Sequence, residues 1–215
     1  DSGGIRTINT YRATALCDNK FHTTMALQEA GVPTLRTAIA FTPTAALQAI
    51  EAMGYPVVLK PTTGSWGRLL AKVNDRDAAE AILEHKETLG SYHHSIFYIQ
   101  EYLPKPGRDI RVFVVGDQVV AAAYRMSAHW ITNVARGAQT TPCTPTQAME
   151  DISLRAAKAV GGEILGVDLL ETDGALKVIE INVGAEFKGL VEATGVDVPA
   201  AIISYVKEQA RSLGI

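Results

Sequence analysis

Apolar positions recur along the chain in two rhythms, one suited to helices and one to strands. The run "CDNKFHTTMALQEAG" predicts a helix capped by Asp18 and stopped at Gly31, and "PTLRTAIAF" predicts a strand after it. Thr42 followed by Pro43, with Ala46, Leu47 and Ile50 on one side, predicts a second helix that closes at Gly54 before the strand "PVVLK". A loop, "PTTGSWG", leads to the strand "RLLAKV". A helix opened by Asp75 with Ala78, Ile82 and Leu83 on one face comes next, and then the strand "SIFYIQEYL". Further on, "DIRVFVVGDQVVAAAYRM" places two β-rich runs around Gly116-Asp117, a strong hairpin signal. A Thr/Pro/Gly-rich loop, the helix "TQAMEDISLRAAKAVGG", a second hairpin "ILGVDLLETDGALKVIEIN" and two C-terminal helices complete the pattern. The expectation is an α+β fold: residues 1–31 form a linker and first helix, 32–103 a small α/β lobe, and 104–215 a larger β-rich lobe.

The strongest chemical signal lies in the second hairpin. Alternate strand residues share a face, so Glu180 and Asn182 point together, and the alternation sends Ile179 and Ile181 into the core. Asp168, on the preceding strand, joins them only if the turn at Asp173-Gly174 has an odd number of loop residues; a two-residue loop sends it to the other face. Oxygen donors of this kind suit a hard cation such as Mg²⁺, which shares its remaining positions with water and phosphate. A single such acid would more often be a solvated strand end; three at matching spacing favour the metal reading.

A second signal is "VVLKPTTGSWGR". Lys60 emerges from a buried strand ahead of Gly64, Ser65, Trp66 and Gly67, whose backbone N–H groups suit a loop folded over phosphate oxygens. The order is not that of a GxxxxGK[ST] loop, and taken alone the stretch reads equally as a plain turn. In "IQEYLPKPGRDIR", Glu101 ends one strand, Pro104 and Pro106 break it, and Asp109 and Arg111 share a face of the next, which suits a stiff connection between lobes. Arg125, Asn133 and Arg136 surround a Gly137-containing loop, and guanidinium groups recognise carboxylate or phosphate through paired hydrogen bonds. His93 and His94 read as surface residues, and Cys17 has no paired His to make it a nucleophile.

Bulk properties narrow the classes. With 47% apolar residues in 215, the chain can bury a substantial core, and its formal charge of -3 argues against general nucleic-acid binding. The two cysteines, Cys17 and Cys143, form neither a zinc motif nor a disulfide framework, which points to a reducing, cytoplasmic setting. No apolar run approaches the roughly 20 residues that span a bilayer.

Taken in order, the runs "DNKFHTT", "KPTTGSWGR", "KPGRDIRVFVVG", "TNVARGA", "GVDLLE" and "EINVGAEFK" resemble the RimK-like, LysX-type ligases of the ATP-grasp fold over nearly the whole chain. That resemblance implies two lobes gripping ATP with two Mg²⁺ ions. It implies a reaction that joins the amino group of α-aminoadipate, glutamate or a related amino acid to the C-terminal glutamate side chain of a small acidic LysW-type carrier, through an acyl phosphate. It assigns Lys20 and Lys60 to the phosphates and Gly64 to Gly67 to the phosphate-covering loop. Gln100, Glu101 and Leu103 match the adenine hinge, and Asp109 the ribose side. Asp168, Glu180 and Asn182 match the metal ligands; Arg111, Arg125, Asn133 and Arg136 match substrate and transition-state contacts. The family also implies a dimer or tetramer. The alternatives are a glutamate ligase acting on a ribosomal protein or free peptide, and a non-catalytic ATP-binding module. Two departures appear: the chain opens at "DSGGIRTINTYR" without the N-terminal α/β domain usual in the family, so a truncated protein or an incomplete sequence is expected, and "NVGAEF" replaces the His-Thr pair of lysine-pathway members.

Overall fold

A computed structural model describes residues 5–64, 69–89, 96–132 and 137–214. Ser65, Trp66, Gly67, His93, His94, Asn133 and Arg136 lie outside the described residues.

The first half builds a four-stranded antiparallel sheet in the order β1-β4-β2-β3, from β1 (Thr37–Ala40), β2 (Val57–Lys60), β3 (Ala71–Val73) and β4 (Phe97–Glu101). Before it come α1 (Tyr11–Cys17) and α2 (Lys20–Glu29); α3 (Pro43–Met53) and α4 (Arg76–Leu89) cover one face. Ala46 and Ile50 of α3 pack with Ala79 and Leu83 of α4 against Val57, Leu59, Phe97 and Ile99. The Thr42 hydroxyl accepts the Ala45 N–H at 3.2 Å, and Asp75 caps α4 through the Ala78 N–H at 2.8 Å, so both helix starts lie where their cap residues predict.

The second sheet has five antiparallel strands in the order β7-β6-β5-β8-β9. These are β5 (Arg108–Val115), β6 (Gln118–Met126), β7 (Gln139–Cys143), β8 (Ile164–Thr172) and β9 (Ala175–Val183); α5 (Gln147–Val160) precedes β8, and α6 (Lys188–Thr194) and α7 (Val198–Ser212) follow β9. The two faces of this sheet carry different loads. On one, Ile110, Val112, Val114, Leu165, Val167 and Leu169 pack against α5, with Leu16, Cys17 and Leu27 of α1 and α2 added at the side. On the other, Phe113, Val115, Ala121 and Ala123 lie under Leu190, Val198 and their neighbours on α6 and α7, while the remainder of that face carries Asp109, Arg111, Arg125 and Asp168. No single helix among the described residues is long and apolar enough to cross a membrane.

Three elements differ from the sequence pattern. Asn19, not Asp18, caps α2, its Oδ1 accepting the N–H groups of Phe21 and His22 at 3.0 and 3.3 Å; Asp18 instead closes α1. The Thr/Pro-rich stretch expected as loop contains β7. Pro142 conceals it, yet β7 pairs only with β6 and sits at a sheet edge, where proline is tolerated. The third difference, in the β8-β9 hairpin, bears on the site.

The β5-β6 turn depends on Gly116. Its φ of +62° is in the left-handed region, and a Cβ built there would lie 2.6 Å from Cε2 of Tyr205 on α7. Gly116→Ala is expected to lose about 1–3 kcal/mol of stability, read as a lowered urea midpoint with an unchanged m value.

Candidate functional site

The β8-β9 turn is two residues long, since Thr172 pairs with Ala175. Unbroken pairing from there would set Asp168 opposite Ile179 and on the wrong face. Instead the register slips between Asp168 and Leu169, so Asp168 faces Glu180 and Gly166 faces Asn182. A bulge in β9 absorbs one residue and restores the shelf that loop length alone would have destroyed. It also corrects the alternation read from sequence: Val178 and Ile181 are buried in the core, whereas Ile179 is half-buried and lines the cleft.

Around this shelf lies a set of ion pairs. Arg111 is opposite Asp168 on β5; its Nη2 donates to Oδ2 at 3.3 Å, and its Nε lies 2.6 Å from Oδ1 as an ion pair without hydrogen-bond alignment. The Arg125 Nη2 lies 3.0 Å from Asp168 Oδ2, while its Nε donates to Asp109 Oδ1 at 2.7 Å. The second Asp109 oxygen accepts the Thr132 hydroxyl, whose oxygen in turn accepts Lys105 Nζ at 2.7 Å. Burial pushes Asp168 upward, but the two guanidinium groups outweigh it and hold the carboxyl below its usual range; burial lowers Arg125, and its two aspartates outweigh that and raise it. Gly166 leaves room for this arrangement, since a Cβ there would lie 2.7 Å from Nη1 of Arg111 and 2.6 Å from Cβ of Ala185.

Lysines occupy the opposite wall. Lys20, at the start of α2, donates through its backbone N–H to Thr62 O at 2.8 Å and through Nζ to Gly64 O at 2.5 Å, and lies 3.2 Å from Glu180 Oε1. Lys60 is buried with no hydrogen bond or ion pair among the described residues, and burial pushes its ammonium down to about 8 despite the raising effect of Glu180. Val58 and Leu70 from the smaller lobe and Leu170 and Ile179 from the larger sheet give the same cleft apolar lining, together with Leu103.

Ten of the residues singled out from sequence line this one cleft: Lys20, Lys60, Gly64, Gln100, Glu101, Leu103, Asp109, Arg125, Asp168 and Glu180. Arg111 and Asn182 adjoin it on the same strand face. Two of these carboxylates are bonded to other groups of this chain. The Asp109 carboxylate is buried and accepts from Arg125 and Thr132, with Lys105 Nζ 3.8 Å away. The Glu101 carboxylate turns to Arg36 and Lys177; burial raises its pKa, but the Arg36 backbone and guanidinium and the Lys177 ammonium outweigh this and hold it low. Lys105 and Thr132 open two of the quoted runs but were not singled out, and Arg36 and Lys177 lie in no run that signals chemistry; the contacts of all four become visible only in the fold. Burial, with a smaller contribution from Asp18, pushes the Cys17 thiol up to about 12, which disfavours the thiolate.

The shelf fits Mg²⁺ by donor type. Among the described residues no three His, Cys, Asp or Glu side chains cluster, and what the shelf offers is two carboxylates and one carboxamide, all hard oxygen donors. Among the described residues Asp168 Oδ1 and Asn182 Nδ2 are buried without aligned hydrogen bonds, Oδ1 lying 2.6 Å from Arg111 Nε.

Two antiparallel sheets clasping a cleft, with lysines over one wall and an oxygen-rich strand pair on the other, define an ATP-dependent carboxylate–amine ligase of the ATP-grasp fold. The chain belongs to the RimK-like ATP-grasp domain family, which matches residues 17–206. It is 36% identical to the alpha-aminoadipate–LysW ligase LysX of Saccharolobus solfataricus, over 95% of this chain and 75% of that protein. It is 35% identical to the glutamate–LysW ligase ArgX of Sulfolobus acidocaldarius, over 96% and 74%. The crystal structure of a RimK domain ATP-grasp protein from Sphaerobacter thermophilus superposes with a TM-score of 0.79 at 28% identity, covering 95% of this chain and 73% of that one.

The buried Lys60 yields a pH dependence. Its folded pKa of about 8 is below the ordinary value of 10.5, so below pH 8 both states are protonated and folding carries the full cost of burying the charge. Between pH 8 and 10.5 only the unfolded chain keeps the proton, and the stability contribution rises. Lys60→Met is therefore expected to stabilise the nucleotide-free protein by about 1–3 kcal/mol at pH 7, with the gain shrinking toward pH 10.5 in denaturant titrations.

Proposed function

We propose that the protein joins the amino group of an amino acid to the C-terminal glutamate side-chain carboxyl of a small acidic LysW-type carrier. The reading is carried by identity with two LysW ligases across almost the whole chain, together with the register slip that puts Asp168 opposite Glu180. The two relatives act on different amino acids at nearly equal identity, so the choice between α-aminoadipate, glutamate and a related amino acid rests with the acceptor pocket.

In this reading Lys20 and Lys60 hold the ATP phosphates, the segment from Gly64 to Gly67 covers them, and the backbone near Leu103 with the apolar walls takes the adenine. Asp168, Glu180 and Asn182 would hold magnesium, which supplies charge neutralisation at the phosphates when bound. The carrier carboxylate oxygen attacks the γ-phosphorus and ADP leaves, giving an acyl phosphate. The amino nitrogen then attacks the acyl carbon, inorganic phosphate departs with the C–O bonding pair, and the nitrogen releases its proton. Little proton shuttling is needed in the first step, so the chain's contribution is positioning and charge. Arg111 and Arg125, held rigidly by Asp168 and Asp109, offer preorganised positive charge beside the shelf, and Asn133 and Arg136 are assigned to the acceptor.

The test is mass spectrometry of a LysW-type carrier incubated with the protein, ATP, Mg²⁺ and a panel of amino acids. The expected product is the carrier heavier by one amino-acid residue, with one ADP formed per addition. Glu180→Gln should reduce turnover by at least a hundredfold while shifting the melting temperature by less than about 3 °C, because Glu180 is half-exposed and packs no core. A Glu180→Gln enzyme of wild-type rate would remove the metal shelf from the mechanism.

A second expectation concerns protons. Phosphate beside Lys60 favours its charged form, so ATP binding at pH 8.5 should take up protons, seen as a dependence of the calorimetric heat on buffer ionisation enthalpy. Lys60→Met should remove most of that uptake.

A further inference from the structure

Two polypeptide crossings join the sheets, and both lie at one end of the cleft. In the first, Thr34 forms a parallel bridge with Val178 on the outer edge of the larger sheet. The Val178 N–H donates to Pro33 O at 2.9 Å and the Thr34 hydroxyl donates to Val178 O at 2.9 Å. Three residues later Thr37 opens β1 of the smaller sheet, so only Leu35 and Arg36 span the gap. The second crossing runs from Glu101, the end of β4, to Arg108, the start of β5.

Glu101 occupies the angle between these crossings. Its Oε1 accepts the Arg36 backbone N–H at 2.9 Å and Lys177 Nζ at 3.1 Å, and its Oε2 accepts Arg36 Nε at 3.0 Å. Arg36 also donates through Nη2 to Met53 O, the last residue of α3, at 3.0 Å. One carboxylate therefore joins the end of β4, the first crossing and β9 of the opposite sheet, and through Arg36 it reaches α3. We propose that Glu101 and Lys177, with Arg36, form the pivot about which the two lobes close on nucleotide, acting as positioning residues and not as contacts to ATP.

The strand registers show why the motion would have this centre. β2 pairs with β4 so that Val57 is opposite Glu101 and Lys60 opposite Tyr98, which puts Lys60 three residues, about 10 Å, from the pivot. On β9, Glu180 is three residues beyond Lys177. At that far end, among the described residues, Lys20 on α2 lies between Gly64 O and Glu180, and the Thr24 and Tyr98 hydroxyls are 2.8 Å apart. Lys20 and Glu180 are the groups that exchange partners when a charged ligand enters, whereas Glu101 and Lys177 need not. Loss of the pivot would let the empty protein sample many lobe angles, and ATP would then bind only the fraction that is correctly set.

The proposal rests on the cleft being the ATP site and not on the carrier reading. Its test measures nucleotide binding alone, so failure of either is distinguishable from the other. ATP affinity is measured by calorimetry with Mg²⁺ for the wild type, Lys177→Met, Lys177→Arg, Glu101→Gln and the Glu101→Gln/Lys177→Met pair. Lys177→Met should weaken ATP about tenfold, Lys177→Arg should stay within twofold of wild type, and Lys177→Met should cost less than twofold when Glu101 is already Gln. Unfolding without nucleotide should shift little for Lys177→Met, because a part-exposed pair at 28% and 10% side-chain exposure contributes little to global stability. Unchanged ATP affinity in Lys177→Met overturns the proposal, whatever its melting temperature. Equal losses in both Glu101 backgrounds overturn it too, since Lys177 would then act on the nucleotide directly.

Discussion

The structure depends on one slipped register. A two-residue turn at Asp173-Gly174 is the natural way to close a tight hairpin, but it leaves β8 and β9 out of step for chemistry. The bulge beside Asp168 resolves the conflict by giving β9 one residue more than β8 over the same length. Everything downstream follows from that extra residue. Glu180 faces Asp168, Asn182 faces the small Gly166, Ile179 leaves the core to line the cleft, and Val178 takes its place among the buried side chains.

Charge then sets the character of the cleft. The aspartates are each shared between cations, and the cations themselves are graded by company. Among the described residues Arg125 is held by two carboxylates, Lys20 by one carboxylate and a carbonyl, and Lys60 by neither. A buried ammonium without a partner is a cost to the folded protein that only an anionic ligand offsets. The site keeps its least satisfied cation on β2, on the wall opposite its carboxylates, an arrangement that trades stability for readiness to bind.

Much of this was legible in the sequence, and what was not has physical reasons. Helix starts at Thr42 and Asp75 obeyed local capping chemistry, and the Gly116-Asp117 hairpin obeyed turn chemistry, because both are decided within a few residues. The alternation of Glu180 and Asn182 was equally local. The bulge was not, because no residue type demands one, and it satisfies a requirement spanning two strands. β7 was hidden by Pro142 at a sheet edge. Lys105 and Thr132 sit at the edges of recognisable runs and Lys177 in none, and the contacts of Thr132 with Asp109 and of Lys177 with Glu101 join elements far apart in sequence. Asp109 lies in a recognisable run, but its bonds to Arg125 and Thr132 join segments that the sequence does not bring together.

Strand β5 changes occupation partway along a single face. Asp109 and Arg111 serve the cleft, whereas Phe113 and Val115, two and four residues further on, lie beneath α6 and α7. Selection on this strand would therefore read as two separate genetic regimes. Changes at Arg111 would cost function ahead of abundance, and changes at Phe113 or Val115 would yield scarce protein whose surviving molecules still work. A survey that scored only growth would merge the two classes, and one that scored abundance alongside growth would locate the border between Arg111 and Phe113.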